Sequence, residues 1–275
     1  MCTHIILFVP ILRMHYVARW YESDLCTQNK RVALLSCTMA SALSTAICRG
    51  QWELCIRLVR GDVETAKAFA SKPGSLVSGP HMFRDIQGLP LHEAVAVGAP
   101  VTVIDAIARA YPTALTKKEL VKKRLPIHLA CIRQPIDNKT IQLLAKYYQK
   151  GLAEADRNGK VALHYAMQKR GSEALIKFLL HNKPNAAKAQ DKKGLIPLHI
   201  ACSLGASTKL IKLLLELNPD GSVMVTADGM NALELCQRCN PPNREEVTEL
   251  ILEYKRKVDE QFRLAAQPSS RRLIV

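Results

Sequence analysis

Aromatic residues make up only 5% of the 275-residue chain. That scarcity, set against many Leu, Ala and Ile, suits tightly stacked short helices better than a sandwich or a barrel. Long apolar runs are also missing. Ile5 to Leu12 is the apolar start of the chain, but Pro10 interrupts it, and it falls far short of the roughly 20 residues needed to span a bilayer. As a signal peptide it lacks a basic leader and a small-residue cleavage site. GxSxG, P-loop and HExxH motifs are absent as well, so no enzyme and no cofactor is expected. What the chain does have is 48% hydrophobic residues, ample for a buried core.

It also has a repeated phrase. Gly194-Leu-Ile-Pro-Leu-His-Ile-Ala-Cys202 returns as Val161-Ala-Leu-His164-Tyr-Ala166, as Leu125-Pro-Ile-His128-Leu-Ala130 and as Leu89-Pro-Leu-His92-Glu-Ala94. Successive histidines lie 36, 36 and 35 residues apart, and an eroded copy, Asn231-Ala-Leu-Glu234-Leu-Cys236, follows 35 residues after His199. Self-similarity at a fixed period in the thirties marks a stacked repeat array. Leu43-Ser-Thr-Ala46 aligns too, with Ser44 in the histidine slot, as in an atypical terminal repeat.

The phrases resemble the Thr-Pro-Leu-His-x-Ala signature of the ankyrin repeat family. The resemblance implies an all-α solenoid of helix-turn-helix units joined by hairpins, with four clear repeats and degenerate repeats at both ends. It would cover residues 39–265, closed by a capping helix over 243–265 with Asn243 as its N-cap. Residues 1–38 are read as a tail, with Met14 and Met39 as alternative starts, and 266–275 as a basic tail. Ser71 to Pro80 reads as a surface insertion. Pro90, Pro126 and Pro197 should start first helices. Ala94, Ala130, Ala166 and Ala201 should let neighbouring helices approach. In the family the histidine bonds to backbone in the adjoining turn, a role that would fall to His92, His128, His164 and His199. A metal shared among them is ruled out by spacing: stacked helices lie roughly 8–10 Å apart, whereas zinc needs each nitrogen at about 2.0–2.1 Å. Gly98, Gly171 and Gly205 should stop the first helices in the left-handed conformation, the third copy one residue late because of Arg170. Pro112, Pro184 and Pro219 should stop the second helices. Asp156-Arg-Asn-Gly159 and Asp191-Lys-Lys-Gly194 read as hairpin turns, while the second copy has Leu120-Val-Lys-Lys123 instead.

Cysteine and charge bear on setting and partners. Cys131, Cys202 and Cys236 sit in or beside the small-residue slot of the phrase, where free Cys acts as a small apolar residue. A reduced, intracellular chain is expected, cytoplasmic or nuclear and not secreted. Cys236-Gln-Arg-Cys239 has no second ligand pair and reads as packing. Acid is the scarce charge: 39 Lys and Arg face 24 Asp and Glu, a net charge of +15, which favours acidic partners. In the family, partners bind a concave surface of hairpin tips and first helices. The matching hairpin slots hold Lys122 and Arg124, then Arg157, Asn158 and Lys160, then Lys192, Lys193 and Leu195, with Met230 beyond. The matching helix slots hold Gln168 and Lys169, then Ser203 and Leu204. The expected function is a monomeric protein-binding adaptor whose partner lays an acidic segment along this edge, with Leu195, Leu204 and Met230 as apolar anchors. Electrostatic binding of nucleic acid or anionic membrane ranks second. Stacking aromatics are missing from the hairpin slots, and the last helix mixes acid with base.

Overall fold

Proline costs nothing at the first position of a helix, because that N–H has no intrahelical partner and the ring already holds a helical φ. Pro90, Pro126 and Pro197, with Ala162 and Ala232 in the same slot, each begin a helix. The computed structural model describes residues 42–60 and 88–266. Its helices are α1 (42–48), α2 (Trp52–Arg60), α3 (Pro90–Val97), α4 (Val101–Ala110), α5 (Pro126–Ile132), α6 (Asn138–Tyr147), α7 (Ala162–Gln168), α8 (Glu173–Asn182), α9 (Pro197–Leu204), α10 (Thr208–Leu217), α11 (Ala232–Cys239) and α12 (Arg244–Ala266). No strand occurs among the described residues. The readings of 1–38 as a tail and of Ser71–Pro80 as an insertion fall outside them, as does all of the 266–275 basic tail beyond Ala266.

The first helices stack in chain order, α3 on α5, α5 on α7, α7 on α9 and α9 on α11, while α2 packs on α4 and α4 on α6. Each repeat thus buries its apolar side against its neighbours, as a solenoid must. Leu91, Ile127, Leu163 and Leu198 from the repeated phrase are buried, as are Ala94, Ala130, Ala166 and Ala201. Second helices open on side-chain caps: Asp137, Ser172 and Ser207 accept hydrogen bonds from Lys139, Leu175 and Leu210 backbone N–H groups. After α4, α6, α8 and α10 the chain makes one 3-10 turn, over Pro112–Leu115, Gln149–Leu152, Pro184–Lys188 and Pro219–Ser222. Gln149 takes the proline's place in one of these, so tertiary packing can stop the helix without the ring.

Each histidine ties its helix to two stretches of backbone. Leu89, Leu125, Val161 and Ile196 donate their N–H to Nδ1 of His92, His128, His164 and His199, at 2.9 to 3.3 Å. Nε2 of the same rings bonds to the carbonyls of Lys117, Glu154, Leu195 and Met224, at 2.9 to 3.1 Å. A backbone N–H can only donate and a carbonyl can only accept, so the rings are neutral with the proton on Nε2. All four are fully buried. Burial lowers the pKa of each, to about 4 for His92 and His128.

Three local expectations need correction. Gly98 and Gly205 are left-handed helix stops as expected, but in the third copy Arg170, with φ +53°, takes that conformation and Gly171 does not. The stop is therefore in register rather than late: Gly171 N donates to Ala166 O, just as Ala99 and Ala206 donate to Ala94 and Ala201. A side chain at Gly171 would lie 3.0 Å from the Ala166 carbonyl oxygen, yet Ala99 and Ala206 hold the same position with a side chain, so the stop does not require glycine there. At the end of the stack, Asn243 precedes α12 without capping it by side chain. Its amide nitrogen donates instead to Ala206 O at 2.9 Å, pinning the terminal helix to the preceding repeat. Finally, α12 packs on α10 and α11 and buries Val247 and Ile251, but it runs through Ala266, one residue past the expected end.

One core slot is chemically out of place. The residue after the histidine is Leu129, Tyr165 and Ile200 in the next three copies and Leu235 after Glu234, all buried. In α3 it is Glu93, 1% exposed. Neither carboxylate oxygen has a hydrogen-bond partner among the described residues. Burial raises its pKa to about 7, and the nearby Ser44 hydroxyl offsets part of that.

Candidate functional site: the hairpin edge

Three of the repeat-to-repeat connections are tight turns held by one side-chain oxygen, from an aspartate in two and a threonine in the third. Asp156 Oδ1 accepts from the N–H groups of Asn158 and Lys160, both at 2.8 Å. Asp191 Oδ1 does the same for Lys193 and Leu195, both at 2.9 Å. Thr226 Oγ1 accepts from Met230 N in the fourth hairpin at 3.2 Å. Gly159 and Gly194 have φ of +79° and +72°, and a side chain on either would meet the backbone of the next hairpin, at 3.1 and 2.8 Å. Glycine therefore serves both the turn and the approach of its neighbour.

That approach makes the hairpins one continuous edge. Arg157 N donates to Lys122 O at 2.9 Å, Lys192 N to Asn158 O at 2.9 Å, and Ala227 N to Lys193 O at 2.8 Å. On the first three hairpins the tips carry Lys122, Lys123, Arg157, Asn158, Lys192 and Lys193, all exposed. On the fourth they carry Ala227 and Asp228, also exposed. Asp156 and Asp191 are buried, bonded to backbone N–H groups, and form no ion pair with the tip cations among the described residues.

Other expected residues sit elsewhere. Arg124 is not on the exposed edge: it is 4% exposed and paired with Glu119, itself fully buried. The cause is an extra residue in that hairpin, where Glu119 N bonds Arg124 O across six residues while Asp156 N bonds Lys160 O across five. Lacking the Asp-x-x-Gly geometry, the turn is closed by the Glu119–Arg124 pair and by Lys123 at φ +56°. Lys123 is thus an exposed cation that register counting passes over, because it stands where the other copies have glycine. Lys160 is half-buried, its Nζ donating to Gln168 Oε1 at 3.1 Å and lying 5.7 Å from the centre of the Tyr165 ring. The Tyr165 hydroxyl in turn donates to Asp156 at 2.5 Å; burial, reinforced by that bond, pushes its pKa up. Lys169 is half-buried, and its carbonyl accepts from Gln134.

Leu195, Ser203, Leu204 and Met230 are half-buried. Ser203 Oγ donates to Ile200 O, and the Arg238 guanidinium rests 3.4 Å from the Met230 sulfur. Among the described residues, no group of His, Cys, Asp or Glu is placed to hold a metal ion, and no helix is long and apolar enough to cross a membrane.

No curated protein matches the chain. A family model described as ankyrin repeats (3 copies) matches residues 91–189 and 169–261. These matches run from α3 into α12, take in all four hairpins, and together cover well over half of the 275 residues. The chain belongs to the ankyrin repeat family.

Proposed function

We propose that this protein is an adaptor without catalytic activity that receives an acidic segment of a partner protein along the basic hairpin edge. Ankyrin repeats generally mediate protein–protein interaction and are typically non-enzymatic. One observation carries the finer reading: Lys122, Lys123, Arg157, Lys192 and Lys193 stand exposed on three hairpins bonded edge to edge, and none belongs to an ion pair among the described residues. Cations held together by register create a local field that net charge alone does not, and such a field steers and selects an oppositely charged partner. The six described cysteines are free thiols, which supports a reducing, intracellular setting.

The test replaces Lys122, Arg157, Lys192 and Lys193 with Glu, leaving Lys160 alone because it is engaged with Gln168. Wild type and variant are compared as baits in nuclease-treated cell extract, with circular dichroism confirming that both are folded. The expected result is a set of proteins retained by wild type and lost by the variant. Loss of all retained material on nuclease treatment would instead show that nucleic acid had carried it, and the adaptor reading would fall.

A further inference from the structure

The hairpin edge has a fixed interval. One backbone hydrogen bond, 2.8 to 2.9 Å long, joins each tip to the next, so neighbouring tips cannot slide past one another. Packed helices stand roughly 8–10 Å apart, and the hairpins that connect them inherit that spacing. A peptide extended as a polyproline II helix advances about 3.1 Å per residue and turns once in three, so three residues cover one interval and bring the side chain back to the same face. An α-helix advances about 1.5 Å per residue and would need roughly seven.

We propose, resting on the acidic-segment reading above, that the edge takes an extended peptide with a carboxylate at every third position. One carboxylate falls to each hairpin: the first to Lys122 and Lys123, the second to Arg157, the third to Lys192 and Lys193. The run ends there, because the fourth tip presents Asp228, which repels a further acid. The tips favour an extended occupant because they offer charge with little apolar cover. The large hydrophobics that stand well open on these hairpins are Leu120 on the first, 57% exposed, and Val225 at the foot of the fourth, 52% exposed, too far apart to form one apolar face. A short helix is marginal alone in water and binds by burying an apolar face in a groove. A ridge of ammonium and guanidinium groups buries nothing for it, whereas an extended chain needs only its carboxylates in step.

The experiment uses the full chain and fluorescence anisotropy with labelled peptides that each carry three Glu, the first two of equal composition in a Gly/Ser background. One peptide spaces the Glu residues by three, and one clusters them. A third, Ala-rich and helical, spaces three Glu by seven. The three-spaced peptide is expected to bind about tenfold more tightly than the clustered one, and K192E/K193E should remove that advantage while leaving the circular dichroism spectrum unchanged. Equal binding of spaced and clustered peptides, lost in the charge-reversed variant, overturns the spacing but leaves the acidic partner standing. Tighter binding of the helical peptide overturns the extended conformation. If no peptide binds, or the variant binds all of them as wild type does, the acidic-segment reading falls and the spacing with it.

Discussion

A buried imidazole caught between a backbone donor and a backbone acceptor fits in one protonation state. Protonating Nδ1 of His128 would set its new proton against the Leu125 N–H that now bonds there at 2.9 Å. Burial is the main cause that holds the pKa at about 4, below the ordinary 6.5. A base whose folded pKa is depressed contributes stability that is present above its unfolded pKa and is lost as pH falls toward the folded one. For His128 the window runs from 6.5 down to about 4. Between pH 8 and pH 5 that amounts to roughly 2 kcal/mol, and His92, with the same shift, adds a similar loss. His128→Gln keeps a donor and an acceptor but does not titrate. Urea unfolding should show it less stable than wild type at pH 8 and with a pH dependence between 8 and 5 shallower by roughly 2 kcal/mol. Parallel pH profiles would rule out the neutral-imidazole account.

At the scale of the element, the hairpins separate two demands on glycine. Gly194 and Gly229 share a left-handed φ, at +72° and +74°. A side chain at Gly194 would meet Ala227 N at 2.8 Å, while at Gly229 nothing lies within 4 Å. Gly229→Ala should therefore cost only the conformational penalty, about 1 kcal/mol. Gly194→Ala should cost clearly more, because the Ala227–Lys193 bond must stretch as well; thermal midpoints measure the difference, and equal shifts would sink the stacking argument. The repeat phrases made the first helices, their proline starts and the buried histidines legible in the sequence, since each depends on residues close together in the chain. Legibility stopped where a neighbour decides. Arg170 reads as an insertion before Gly171 but takes the left-handed stop in register, because the next N–H must reach the Ala166 carbonyl as Ala99 and Ala206 reach theirs. Arg124 matched a tip slot by register, yet an extra residue in its own turn sends it inward to Glu119. Asn243 has the composition of a cap but spends its amide on Ala206 of the previous repeat. Lys122, Arg157, Asn158, Lys192 and Lys193 are the expected contact residues that lie exposed at the tips, and Lys123 joins them only once the backbone at that turn is seen.

In a stack where each unit touches only its neighbours, stability is a sum of local terms, and a weak joint loosens the molecule at one place. Glu93 marks such a joint. It lies in α3 beside Ser44 of α1, in the slot that Leu129, Tyr165, Ile200 and Leu235 fill in other layers. Its carboxylate has no hydrogen-bond partner among the described residues, and its pKa stands near 7 against an ordinary 4.5. An acid with a raised folded pKa gives stability that is complete below the unfolded value and disappears as pH rises through the folded one, so the joint weakens from pH 4.5 to about 7. The histidines work in the opposite direction, so the whole chain's unfolding curve blends the two and cannot isolate either. The difference between wild type and Glu93→Leu can, because the histidines are common to both. Leucine is what the slot holds elsewhere, and the variant should gain stability over wild type by an amount that grows between pH 4.5 and 7 to as much as about 3 kcal/mol. Amide hydrogen exchange should place the gain in α1, α2 and α3 and leave α9 to α12 unchanged. A gain that ignores pH, or protection spread evenly along the stack, would show that Glu93 is not the joint that sets the stability of the amino-terminal layers.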